Sequence, residues 1–124
     1  MIVPFDADAH LGEVNEWNRA QRVPAVAPTM LPRVGFIVPG VAVGWLYQTD
    51  SAMGLIENFV TNPGAPRRDR WEAISEIALA LAHHAKSVGI QALKITTGHR
   101  SLGRIAIRHG CVYQGPAHVL SKEV

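Results

Sequence analysis

From Arg70 to Val88 the apolar residues fall at Ile74, Ile77, Ala78, Leu81, Ala82, Ala85 and Val88, and Gly89 follows. Steps of three and four residues place them on one face of a helix, and a glycine just past the last of them supplies the stop. A helix with one apolar face needs a partner layer, and its neighbours in the chain say which kind. Leu55 to Thr61 reads as a strand ahead of it, closed by Asn62-Pro63-Gly64, and Ala92 to Thr96 reads as a strand behind it. Strand, helix and strand in that order require a parallel crossover on a sheet.

The rest of the chain extends that sheet. Val34 to Val38 is apolar and β-branched, and Pro39-Gly40 turns it into a second run from Val41 to Thr49. Connections this short imply an antiparallel meander. At the N-terminus, Ile2 to Phe5 carries Pro4 and suits an edge strand. Asp6 and Asp8 offer capping oxygens to a helix over Ala7 to Gln21, with Leu11, Val14 and Trp17 or Asn18 facing inward. Three prolines between Val23 and Pro32 exclude regular helix there, so this segment is a loop. After the second strand of the crossover come a short helix, Ser101 to His109, then Gly110 and a last strand, Val112 to Ser121. The class is α/β, an α+β mixed sheet with helices packed on it, in the order β-α-β-β-β-α-β-α-β.

At 124 residues the chain is the length of one domain, 1–124, and large enough to bury a real core. A single cysteine, Cys111, forms no intrachain disulfide, fits a reducing compartment and is expected as a buried small residue. No apolar run approaches the roughly 18 residues of a membrane span, and the N-terminus lacks the pattern of a signal peptide. A cytoplasmic protein with no membrane partner is the expectation. A net charge of +2 is too small to argue for nucleic acid. His83 and His84 are adjacent on a helix and point about 100° apart, so they cannot chelate one metal, and no zinc spacing exists. Trp17, Trp45 and Trp71 read as packing residues.

Two features invite chemistry. Arg67, Arg68 and Arg70 crowd the start of the long helix, where free backbone N–H groups and the dipole favour an anion. From these residues alone, free phosphate or a nucleic-acid backbone fits as well as a nucleotide. Glu57 is the sole acidic residue between Asp50 and Asp69, and a carboxylate within an apolar strand suits a base. A solvent-facing Glu57 is the equal alternative.

Three segments resemble the GNAT N-acyltransferase superfamily. Leu55 to Pro63 is similar to its fourth strand, which runs into an Asn/His-Pro turn. Arg67 to Ser75 stands where that family has Gln/Arg-x-x-Gly-x-Gly/Ala, with Ala73 and Ser75 in the glycine positions. Ile107-Arg-His-Gly-Cys111 resembles the short helix and glycine that precede the last long strands. The wording also resembles small GNAT-like proteins of tailed bacteriophages, which would place the chain in a host cytoplasm. The resemblance implies an acyl-CoA-dependent N-acyltransferase, with acetyl-CoA as donor, an unidentified amine as acceptor and no metal. It implies that the backbone of Phe59, Val60 and Thr61 holds the pantetheine arm. Arg67, Arg68, Arg70, Trp71, Ala73, Ile74 and Ser75 would hold the cofactor at the helix start. Glu57 would be the base. Ala106 stands where the family's tyrosine acid is usual, and His99, Tyr113 or Tyr47 are the substitutes. The family's acceptor pocket falls on the loop from Val23 to Pro32, open or completed by a second copy in a homodimer. The alternative is a non-catalytic phage structural component or host-protein binder. A weaker one is nucleic-acid binding through Lys94, Arg100, Arg104 and Arg108.

Overall fold

The structure is a computed structural model and describes residues 1–98 and 100–117. Its elements are β1 (Val3–Pro4), α1 (Ala7–Ala20), a 3-10 turn (Pro28–Met30), β2 (Val34–Val38), β3 (Ala42–Gln48), β4 (Met53–Thr61), α2 (Arg67–Ser87), β5 (Ala92–Ile95) and α3 (Arg100–Arg108). The five strands form one sheet in the order β1-β2-β3-β4-β5, antiparallel through β4 and parallel between β4 and β5. This is the expected mixed sheet.

Local chemistry explains the punctuation. The β2–β3 hairpin closes over Pro39 and Gly40, with φ of +78° at Gly40 and Val41 N–H donating to Val38 C=O at 2.9 Å. Proline presets the first central residue of this turn and glycine takes the left-handed second. Gly89 ends α2 as expected, with φ of +84°. Its N–H donates to Lys86 C=O at 3.2 Å, and Ile90 N–H reaches Ala85 C=O at 3.0 Å, which satisfies two of the helix's free carbonyls. Asp6 caps α1, its Oδ1 accepting the Asp8 N–H at 3.2 Å.

The sheet separates two cores. On one face α1 buries Val14 and Trp17 against Ile37, Val43 and Trp45, and Phe5 packs edge-on to Trp45 at 5.2 Å between ring centres. On the other, α2 lays Ala73, Ile74, Ile77, Leu81 and Ala85 on Val38, Ala42, Leu46 and Ile56, with Leu102 of α3 alongside. The long helix therefore buries Ile74, Ile77, Leu81 and Ala85 of the stripe read from its spacing, while Val88, the last of that stripe, is the exposed C-cap. Gly12 sits in α1 with open space where a Cβ would point. A mid-helix glycine costs about 0.5–1 kcal/mol against alanine, so Gly12→Ala should raise the unfolding free energy by that amount, seen as a higher urea midpoint at unchanged slope.

Beyond shifts of a residue or two at element ends, three features depart from the sequence reading. Helix α2 starts at Arg67, three residues before the apolar stripe suggested, because Pro66 holds the N-cap position and the first turn is wholly polar. Residues 111–117 form no strand, and the remainder of the expected Val112–Ser121 strand lies outside the described residues. Cys111 is an exposed free thiol rather than a buried one, since no strand opens there to cover it. Among the described residues no helix is long and apolar enough to cross a membrane.

Candidate functional site

Strand β4 changes register halfway along. Trp45 of β3 faces Glu57, but Val43 faces Val60, so two steps on β3 span three on β4. The extra residue is Asn58, with φ of +60°. This is a β-bulge, and asparagine is the side chain after glycine that best tolerates the left-handed conformation it needs. The consequences are directional. Before the bulge, Glu57 shares the α1 face with Trp45 and Tyr47. After it, Phe59 turns to the α2 core and Val60 to the α1 core.

The bulge also marks where two strands part. Pairing between β4 and β5 runs from Met53 with Ala92 to Ile56 with Ile95 and stops. Past Ile56, β4 continues to Thr61 with no β5 partner among the described residues. A bulge bends and twists its strand, which opens a wedge on that side. Of this stretch, the Thr61 C=O accepts from Gln21 Nε2 at 2.8 Å; a strand edge without a neighbouring strand can receive an extended polar ligand through its remaining main-chain groups.

The edge leads to the start of α2. Asn62 organises the turn between them: its Nδ2 donates to Gly40 C=O at 2.9 Å, and its Oδ1 accepts the Gly64 N–H at 2.9 Å. At the helix start the N–H groups of Arg67, Arg68 and Asp69 have no intrahelical acceptor, whereas Arg70 N–H reaches Pro66 C=O at 3.1 Å. Arg67 and Arg68 are exposed, and Arg68 forms an i,i+4 pair with Glu72 at 3.1 Å, a contact of little strength at the surface. Arg70 is half-buried, and its Nε is shielded from water without an acceptor among the described residues.

On the opposite side of Glu57 lies Tyr47. Asn58 Nδ2 donates a hydrogen bond to the Tyr47 hydroxyl. Burial raises the phenol's pKa, the Asn58 bond opposes that, and the negative charge of Glu57 adds to it. Tyr47 consequently stays protonated and remains a donor at neutral pH. It also forms part of a cleft of about 500 Å³ between the end of the hairpin and the segment from Thr29 to Arg33. The chain leading into that segment is tied to α1: the Asn15 side chain clasps the backbone of Val26 with two hydrogen bonds of 3.0 Å.

The residues singled out from sequence thus divide. Glu57, Phe59, Val60 and Thr61 lie along the bulged half of β4, and Arg67, Arg68 and Arg70 lie on the first turn of α2 that follows. Trp71 is half-buried on the helix, and Ser75 Oγ is spent on Trp71 C=O at 3.1 Å. Ala73 and Ile74 point into the core, and their backbone amides are within the helix. The free amides at this terminus are therefore six residues earlier than the Ala73–Ser75 register. Tyr113 is 72% exposed in a segment without regular structure, and His99 lies outside the described residues. Asn58 was not anticipated; an asparagine inside a β-branched run was the signal. Among the described residues no cluster of His, Cys, Asp or Glu is arranged to hold a metal.

No protein-family model matches the sequence, and no curated protein matches it. Solved structures do match in fold. A protein named a probable acetyltransferase aligns with a TM-score of 0.69 at 10% identity, over 99% of this chain and 99% of its own. An acetyltransferase from Trypanosoma brucei aligns at 0.66 and 13% identity, over 98% of this chain and 99% of its own. A Klebsiella pneumoniae protein assigned as an acyl-CoA N-acyltransferase aligns at 0.54 and 15% identity, over 99% of this chain and 88% of its own. The chain has the GNAT acyltransferase fold.

Proposed function

We propose that this protein is an acyl-CoA-dependent N-acyltransferase that takes acetyl-CoA as donor and a primary amine as acceptor. One observation carries the reading: the bulge at Asn58 coincides with the end of β4–β5 pairing and frees the β4 edge toward the start of α2. Coenzyme A matches that layout in its chemistry. An extended pantetheine arm suits the edge at Phe59, Val60 and Thr61, where the Thr61 C=O already accepts from Gln21 Nε2 at 2.8 Å, and phosphates suit free amides beside Arg67, Arg68 and Arg70. Arg70 Nε has no acceptor among the described residues, and its guanidinium adds a third cation at that end of the helix. The names of the similar folds, acetyltransferase and acyl-CoA N-acyltransferase, support the class.

Acetyl-CoA supplies an acyl group as a thioester. Glu57 is the group suited to take a proton from the amine as the new C–N bond forms and the C–S bond breaks, with the electron pair leaving on sulfur. A thiol's ordinary pKa near 8.5 lets the thiolate leave without an acid, so Ala106 in the usual tyrosine position does not block the step.

Calorimetric titration with acetyl-CoA tests this. Replacing Arg67, Arg68 and Arg70 together by alanine should weaken binding by about 10–100-fold, the scale of one or two charge-assisted hydrogen bonds. A thermal-shift experiment in which millimolar acetyl-CoA leaves the melting temperature unmoved would remove the enzyme reading. A second reading would then take its place, a scaffold kept for binding another macromolecule, such as a phage structural component. It draws on the helical conformation of Ala73 to Ser75, where a glycine-rich loop would otherwise close around phosphates.

A further inference from the structure

The cleft beside Tyr47 has a lining of mixed chemistry. Its apolar walls include Met30, Leu31 and Val34, its polar groups include Tyr47 and Gln48, and its one charged residue is Arg33. Among the described residues no carboxylate pairs with Arg33. At the Tyr47 end, the hydroxyl feels the negative charge of Glu57.

The sheet register sets the spacing. Gly35 faces Trp45 across β2 and β3, and Trp45 faces Glu57 across β3 and β4. Arg33 is two residues before Gly35 along the chain, and Glu57 is two strands across. With strands about 4.8 Å apart and a rise of about 3.3 Å per residue, the two backbones stand about 12 Å apart. A guanidinium and a carboxylate on long side chains from backbones at that separation have the reach to bracket a small zwitterion. Tyr47 lies between them, with one lone pair of its oxygen already filled by Asn58. A polycation meets the wrong charge at Arg33 and no carboxylate along the cleft walls.

We infer that the cleft is an acceptor site for a small amine with an apolar body and a carboxylate, an amino acid of the leucine type, its ammonium toward Glu57 and its carboxylate on Arg33. The acceptor role rests on the acyltransferase reading; the binding preference does not. Three probes separate the features: L-leucine, 3-methylbutylamine (the same body and amine without the carboxylate) and spermidine. Binding is followed by amide NMR shifts of Leu31, Arg33, Val34, Tyr47 and Gln48 in the intact chain without acetyl-CoA. Leucine should shift these resonances with at least tenfold higher affinity than 3-methylbutylamine, and spermidine should leave them in place. Arg33→Ala should erase the difference between leucine and 3-methylbutylamine while leaving acetyl-CoA binding unchanged. Equal affinities in the unaltered protein, a preference for spermidine, or a leucine preference that survives Arg33→Ala would each overturn the proposal. Leucine binding at the cleft with no acetyl-CoA binding would sink the acyltransferase reading and leave the amino-acid site standing. Acetyl-CoA binding without any leucine shift would do the reverse.

Discussion

Glu57→Gln is expected to lower kcat for acetyl transfer by about 10²–10⁴-fold, the range that general-base catalysis contributes, while acetyl-CoA binds as before. The substitution keeps the side chain's size and removes its charge and its capacity to take up a proton. Glu57 is only half-buried, so the sheet has little to lose from the exchange. Its position makes the expectation specific. It is the last β4 residue before the bulge and lies on the α1 face, whereas Phe59, Val60 and Thr61 follow the bulge. Calorimetry on the variant should therefore return the unaltered affinity for acetyl-CoA. A variant that retains kcat would assign Glu57 to solvent, the alternative open from sequence. One that loses acetyl-CoA binding would make it part of the cofactor surface instead.

Periodicity made much of this fold legible, and its limits are equally physical. The α2 stripe, the Pro39-Gly40 turn and the Gly89 stop each depend on residues within a few positions of one another. Burial of Ile77, Leu81 and Ala85 followed directly from that spacing. The start of α2 did not, because an apolar stripe begins only where a helix meets the core. Arg67 to Arg70 make a polar turn ahead of it, so the register that aligns Ala73 and Ser75 with the family's glycines falls six residues past the free amides. The bulge was hidden for a different reason. It is a mismatch between two strands, and only the joint register of Val43, Trp45, Glu57 and Val60 reveals it. Asn58 hinted at it, since asparagine in mid-strand is disfavoured unless the backbone turns left-handed. For Tyr113, an expected final strand supplied the context, and residues 111–117 do not form one.

Gly44→Ala is expected to destabilise the protein by about 1–3 kcal/mol, the cost of overpacking a filled core. A Cβ there would stand 2.7 and 2.8 Å from two carbons of the Phe59 ring and 3.0 Å from Ile77 Cγ2. The ring covers Gly44 because the bulge at Asn58 turns Phe59 toward α2, and Ile77 closes the other side. Ile77 is fully buried and cannot yield without disturbing the α2 core, and the partly buried Phe59 ring must shift to make room. Displacing Phe59 would also move the β4 edge proposed to hold the pantetheine arm, so acetyl-CoA affinity should fall alongside stability. Gly12→Ala, with open space around its Cβ, is the opposite case and should stabilise. A double-mutant cycle separates clash from a general intolerance of alanine in β3. Phe59→Leu removes ring atoms at the contact, so Gly44→Ala should cost less in that background, with a coupling of about 0.5–3 kcal/mol as for residues in contact. Urea unfolding of the four proteins measures it. Additive costs would mean that the ring has room to move, and that the close fit between the bulge and Gly44 does not hold the β4 edge in place.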